Sequence, residues 1–217
     1  MESREETLQR ADTGPTTGAG RLCLFGGTFD PIHKAHIRIA LVARARFQLD
    51  RVLLIPAGQP PHKPAAQVTP YEHRLRMVEL ACLGEPGLEA SRLEDGPGQS
   101  FTIDTLEKCR REMKPRELYF LIGSDAFDEI ETWHRWKTIL SLTEFLVVTR
   151  PGHNYRTPPG ARVTRIDGVE LPISSSGIRA RLTAGEPTPE LPGLVRQYIE
   201  EQGLYGAVRS EFADDAV

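Results

Sequence analysis

The chain has 217 residues, 26% of them charged and 39% hydrophobic, and a net charge of −3. That length can bury a substantial single-domain core, in a composition ordinary for a globular protein. The weak negative balance excludes a general nucleic-acid or membrane surface, and no apolar stretch is long enough to span a bilayer.

Residues 1–20 open on the acidic run Met1-Glu2-Ser3-Arg4-Glu5-Glu6, unlike a signal peptide, and read as a disordered leader. Residues 21–206 read as one domain, and 207–217 as a flexible, acidic tail. Cys23, Cys82 and Cys109 sit in apolar stretches without Cys-x-x-Cys spacing, as expected of reduced thiols in a cytoplasmic protein.

Leu22-Cys23-Leu24-Phe25 is the first predicted strand. It feeds the turn Gly26-Gly27-Thr28-Phe29-Asp30-Pro31-Ile32-His33-Lys34-Ala35-His36, after which apolar and basic residues recur with helical spacing from Ile37 to Ala45. The paired glycines let backbone approach a bulky ligand, and the free amides of a first helical turn attract anions. A second strand, Val52 to Ile55, ends in a loop containing Pro60-Pro61-His62-Lys63. A helix is predicted from Thr69, with Pro70 at its first position, Glu72 closing a capping box, and Leu75, Val78, Leu80 and Leu83 as its buried face.

Leu88 to Leu93 is a candidate strand, followed by a helix capped by Ser100 or Thr102 that runs through Leu106 and Cys109 to about Lys114. The most hydrophobic strand, Leu118-Tyr119-Phe120-Leu121-Ile122, turns at Gly123-Ser124-Asp125. Trp133 and Trp136 lie three apart on a predicted helix. Strands at Phe145 to Thr149 and Val163 to Ile166 precede helices starting near Ser175 and Pro192. This alternation gives an α/β fold, a Rossmann-like, doubly wound parallel sheet, with ligands expected beyond the carboxyl ends of its strands.

The glycine turn lacks the Gly-Lys-Ser/Thr of a P-loop and the Gly-x-Gly-x-x-Gly of a dinucleotide site. It resembles the His-x-Gly-His signature of the nucleotidylyltransferase superfamily, with Ala35 in place of the pattern's glycine. Together with Pro60 to Lys63, Ser100 to Leu106, Ile122 to Asp125 with Trp133, and Ile173-Ser174-Ser175-Ser176-Gly177-Ile178-Arg179, the set resembles the bacterial nicotinate-nucleotide adenylyltransferase family over residues 21–206. Ser176 stands where threonine is usual.

The resemblance implies ATP and nicotinate mononucleotide as substrates, Mg²⁺ arriving with ATP, and a nucleotidylyltransferase-type single domain. It makes His33, His36, Lys63 and Arg179 catalytic. For ATP it implies Gly26, Gly27, Thr28, Phe29, Gly123, Asp125, Ile173, Ser175, Ser176 and Arg179. For the mononucleotide it implies Lys63, Thr102, Trp133, His134 and Arg150, with Trp133 stacking on the pyridine ring. From the residues alone several roles stay open. Asp125 either caps a helix or meets the ribose, Lys63 is either a surface lysine or a ligand, and Trp133 is either core or stacking. No zinc spacing occurs among the histidines and cysteines, and no resident metal is expected. The other functions considered are adenylyl transfer to nicotinamide mononucleotide or phosphopantetheine, and non-catalytic nucleotide sensing.

Overall fold

A computed structural model describes residues 20–59, 67–96, 98–149, 155–169 and 172–207. The leader, Lys63, Arg150 and the acidic tail lie outside the described residues, Gly20 and Ala207 excepted. Six strands, β1 (Arg21–Gly27), β2 (Arg51–Pro56), β3 (Leu88–Ala90), β4 (Glu117–Gly123), β5 (Glu144–Val148) and β6 (Val163–Ile166), form one sheet ordered β3-β2-β1-β4-β5-β6. Every pairing is parallel. The order reverses between β1 and β4, and there the crevice at the strand ends opens.

Apolar runs without polar alternation suit strands covered on both faces. Side chains alternate across the sheet, so Cys23, Phe25, Leu54 and Leu121 enter one core and Leu22, Leu24, Leu53 and Phe120 the other. The first core is closed by α1 (Lys34–Arg46), α2 (Tyr71–Cys82), α6 (Ser175–Thr183) and α7 (Gly193–Glu201). The second is closed by α3 (Thr102–Met113) and α5 (Trp136–Leu142), with the short α4 (Ser124–Asp128) beside them.

The structure departs from the sequence expectations at five places. The capping box before α2 does not form. Pro70 is the cap residue, the Thr69 amide donates to Asp30 Oδ2 at 3.3 Å, and Glu72 pairs with Arg92. Leu83 falls just past the helix and is 62% exposed, while the buried face of α2 includes Arg74 and Met77. β3 stops at Ala90, short of Leu93. Phe101 precedes α3 without a side-chain cap, because the Ser100 hydroxyl instead accepts from the Gly58 amide at 2.9 Å. Trp133 and Trp136 share no helix: Trp133 ends a 3₁₀ turn (Ile130–Thr132), and Arg135, at φ 55°, bends the chain before α5.

Candidate active site

The turn after β1 is shaped from its protein side. Phe29 sits at φ 49° with its ring 3.0 Å from where a Cβ on Gly27 would lie, so a side chain there would displace the ring. The carbonyls of the segment are occupied by donors from elsewhere. Gly27 O accepts from the Ala57 amide at 2.9 Å, Thr28 O from Arg74 Nη1 at 2.9 Å, Asp30 O from Arg179 Nη1 at 2.7 Å and Pro31 O from Ser175 Oγ at 2.9 Å. Carbonyl oxygens repel anions, so tying them up inside the protein leaves a turn better suited to hold phosphate.

Arg74 carries much of this. It is 1% exposed, and its guanidinium also donates to Thr69 O at 2.8 Å and Gly58 O at 3.1 Å. One buried cation therefore joins the phosphate turn to the segments that follow β2 and precede α2. Burial lowers its pKa and the nearby Asp30 opposes that fall. Gly58 is required here, because a Cβ would lie 2.4 Å from Glu94 O.

His33 caps α1 and His36 is its third residue. Their rings stack with centroids 3.7 Å apart. The His33 amide donates to His36 Nδ1 at 3.3 Å, which leaves the proton of neutral His36 on Nε2. Phe29 stands edge-on to the His36 ring at 5.0 Å. Burial pulls the His33 pKa down to about 4, against the pull of Glu190, and burial together with His33 holds His36 well below its usual value. Both are neutral hydrogen-bonding groups at pH 7.

Two chambers adjoin at the ends of β1 and β4, sharing Phe25, Ile122 and Gly123 as a common ridge. The smaller, of about 320 Å³, is lined by His33, Ala35, His36, Ser124, Asp125, Ile173, Ser174 and Ser175. The larger, of about 560 Å³, is lined by Gly26, Gly27, Thr28, Glu94, Thr102, Trp133 and His134, among others. Trp133 is half-buried and meets Phe120 edge-on at 6.3 Å, so it belongs partly to the core and partly to the chamber wall.

Ser124 Oγ is buried with no hydrogen-bond partner among the described residues, and Ser124 lines the smaller chamber. Beside it stands His33, whose ring faces the His36 amide in a capping box too loose to count as a full hydrogen bond. Buried polar atoms are normally satisfied, so an unpaired hydroxyl in this wall accords with a polar ligand there. The sequence singled out His33 but passed over Ser124, although it stands between Gly123 and Asp125 in a recognised motif.

The remaining expected residues are less direct. Phe29 lines neither chamber but packs on His36. Ser176 is exposed, its hydroxyl 3.3 Å from that of Ser174, and it too lines neither chamber. Ser174 caps α6 by accepting from the Gly177 amide at 3.1 Å. Glu94 is a residue that sequence reading missed. It lines the larger chamber and accepts from Thr105 Oγ1 at 2.7 Å, and burial raises its pKa. Among the described residues no cluster of three histidine, cysteine or acidic side chains is placed to hold a metal, and no helix is long and apolar enough to cross a membrane.

Comparison with known proteins agrees with this geometry. The cytidylyltransferase-like family profile matches residues 24–181. A protein of Solibacter usitatus named "Probable nicotinate-nucleotide adenylyltransferase" is 52% identical over 186 residues, covering 85% of this chain and 99% of the relative. One of the same name from Pelobacter propionicus is 40% identical, covering 85% and 98%. The fold is also that of the Plasmodium falciparum nicotinic acid mononucleotide adenylyltransferase solved in complex with NaAD, with a TM-score of 0.73 at 21% identity over 88% of this chain and 100% of that one. The chain belongs to the cytidylyltransferase-like family and, within it, to the nicotinate-nucleotide adenylyltransferases.

Proposed function

We propose that the protein transfers the adenylyl group of ATP to nicotinate mononucleotide, giving nicotinate adenine dinucleotide and pyrophosphate. The observation that carries this reading is the pair of chambers meeting at one ridge, with the neutral His33–His36 stack in the wall of the smaller. ATP occupies the smaller chamber and the mononucleotide the larger, so that the reacting phosphates meet at the ridge.

A mononucleotide phosphate, with a second pKa near 6, is largely dianionic at neutral pH and needs no general base. Its oxygen attacks the α-phosphorus of ATP. The bond from that phosphorus to the β-phosphate oxygen breaks, and pyrophosphate leaves with the electron pair. Catalysis then consists of holding two polyanions together and stabilising the charge passing to the leaving group. His36 Nε2–H and His33 donate hydrogen bonds to phosphate oxygens, while Lys63 and Arg179 supply positive charge. Gly26, Gly27 and Thr28, on the larger chamber's side of the ridge, and Phe29, packed behind His36, form the turn at which the reacting phosphates meet. Gly123, Asp125, Ile173, Ser175 and Ser176 seat the rest of ATP. ATP enters as its magnesium complex, the ion held mainly by phosphates and water.

In the larger chamber Trp133 stacks on the pyridine ring. The amides of Thr102 and His134 receive the nicotinate carboxylate. Arg150, outside the described residues, is assigned to the mononucleotide phosphate from the sequence resemblance alone. Thr102 opens α3, where the helix dipole favours an anion. The three free cysteines accord with a cytoplasmic protein.

The test is pyrophosphate release with ATP and each mononucleotide. A carboxylate accepts from two amides, whereas a carboxamide must turn an NH₂ toward one of them. Hydrogen bonds to a charged group are worth about 1.5–3 kcal/mol each, so kcat/KM is expected to favour the acid roughly a hundredfold to ten-thousandfold. Equal values would overturn the substrate assignment and leave adenylyl transfer standing. Absence of turnover with every acceptor would remove the activity itself.

A further inference from the structure

Asp30, in the middle of the phosphate turn, is an anion where the proposed ligand is also anionic. Its side chain is 4% exposed and lines neither chamber. Its two carboxylate oxygens are held from different parts of the chain. Oδ2 accepts from the Thr69 amide, and Oδ1 accepts from the hydroxyl of Tyr205 at 2.6 Å.

Tyr205 lies 175 residues away in sequence and beyond the segment 24–181 that the family profile covers. It sits in a 3₁₀ turn (Leu204–Gly206) after α7, at φ 57°, a backbone region that a tyrosine rarely enters. The turn is fixed there because Thr183 Oγ1 donates to the Tyr205 carbonyl at 3.0 Å and the ring packs against the first core. Burial and the Asp30 carboxylate both raise its pKa, so the hydroxyl is a firm donor. We infer that Tyr205 is a positioning residue of the phosphate turn, acting through Asp30 on the binding of ATP.

The physical reason is charge. A buried carboxylate with one oxygen unsatisfied seeks another donor, and two positive groups stand at this turn. They are Arg179, 2.7 Å from the Asp30 carbonyl, and Arg74, held on the Thr28, Gly58 and Thr69 carbonyls. Drawing either guanidinium onto the carboxylate would pull it off the carbonyls it holds and reorient the turn. The Tyr205 hydroxyl prevents this by satisfying Oδ1 from behind. The inference rests on the adenylyl-transfer reading for its kinetics, but ATP binding alone also tests it.

The experiment compares wild type with Tyr205→Phe, Asp30→Asn and the double variant, by ATP titration calorimetry, steady-state kinetics in both substrates and thermal melting. Tyr205→Phe removes one oxygen atom and keeps the packed ring. It is expected to weaken ATP on the order of tenfold, the usual size for losing a hydrogen bond to a charged group. The KM for the mononucleotide should rise several-fold less than the ATP dissociation constant. Of the turn, only Gly26, Gly27 and Thr28 reach the larger chamber, and Trp133, Thr102 and His134 there are not touched by this contact. In the Asp30→Asn background the tyrosine substitution should then add nothing to ATP affinity. A variant that melts earlier but binds ATP normally well below its melting point would overturn the inference, as would fully additive effects on ATP in the double variant. If Asp30→Asn fails to fold, the split between ATP and mononucleotide in Tyr205→Phe decides alone. A wild type that binds ATP but turns over no acceptor would overturn the function and leave the calorimetric test of Tyr205 intact.

Discussion

The two chambers share a ridge but are built by opposite means. The smaller one is walled by the histidine end of the phosphate turn, which α6 holds through the Asp30 and Pro31 carbonyls. On the side of the larger chamber, α2 and the loop after β2 hold the Thr28 and Gly27 carbonyls. The histidines are stacked and hydrogen-bonded to each other. The larger one is walled on one side by a 3₁₀ turn and a bend at Arg135, with Trp133 half-buried and His134 exposed. Chemistry that stabilises charge in a transition state needs groups already in place, since reorganising them would consume the energy they supply. Recognition of a flat ring and a carboxylate needs only one stacking face and a pair of amides, which a short turn can provide. The difference teaches that substitutions in the first chamber should act on turnover and those in the second on affinity.

The most severe way to test that division is His36→Ala. Loss of one preorganised transition-state donor is expected to lower kcat on the order of 10²–10³-fold. The KM for the mononucleotide should move little, since His36 lines only the smaller chamber. Near wild-type turnover in a folded variant would take this histidine out of the mechanism and dissolve the comparison.

Acid sensitivity sharpens the same contrast, because the burial that readies the histidines also depresses their pKa. His33 titrates near 4 in the folded protein and at its ordinary 6.5 when unfolded. Between those values the unfolded chain binds a proton that the folded chain refuses, so stability falls as pH drops from about 6.5 to about 4 and then levels off. At full development His33 alone accounts for roughly 3 kcal/mol, and His36 acts in the same direction. Urea unfolding of wild type and His33→Gln at pH 7 and pH 5 checks it. The variant should lose less stability between the two, keeping only the share that His36 contributes, and parallel losses would mean that His33 does not govern acid sensitivity. Bound phosphates favour the protonated imidazoles, so ATP should raise both pKa values and narrow the acid-sensitive window.

What could be read in advance follows from the range of the interactions. The six strands and the motif turns were legible because hydrophobic runs and glycine turns are local signals, and the parallel order follows from the alternation. Arg74 was not legible. An arginine on the apolar face of a helix violates the pattern, and its justification is three carbonyls, Thr28, Gly58 and Thr69, that only the fold brings together. The capping box failed for a related reason: the Thr69 amide found Asp30, a partner 39 residues away. Trp133 and Trp136 have helical spacing, yet Arg135 enters the left-handed region between them. Local periodicity cannot see a bend that the chamber wall requires.

Trp133→Ala tests the recognition side with a smaller effect. Stacking on an aromatic side chain is worth about 1–3 kcal/mol, so the KM for the mononucleotide should rise roughly five- to 150-fold while the KM for ATP holds. Were Trp133 chiefly core, the loss would appear instead as about 3–5 kcal/mol of stability. Its half-exposed position beside Phe120 favours the first outcome. A destabilised variant with normal mononucleotide affinity would end the stacking assignment.

The smallest expected effect concerns Ala35, where the family motif carries glycine. Its methyl is buried within the first turn of α1 and borders the smaller chamber. Two consequences of Ala35→Gly oppose each other. Alanine is the better helix former, by about 1 kcal/mol in a helix interior and less near an end, and burying a methyl adds roughly 0.8 kcal/mol. Removing it therefore lowers stability by about 1 kcal/mol, a few degrees in Tm for a domain of this size. Against this, the chamber gains the space of one methyl, where a phosphate or the base could settle closer to the α1 amides. Because those amides and both histidines are already held by other contacts, the gain in ATP affinity should stay within about threefold, below 1 kcal/mol. Melting curves and ATP titrations of wild type and Ala35→Gly read the two effects separately. Tightening of ATP by more than about tenfold would mean that the alanine obstructs a preformed site, and that the phosphate chamber is less completely organised than its hydrogen bonds imply.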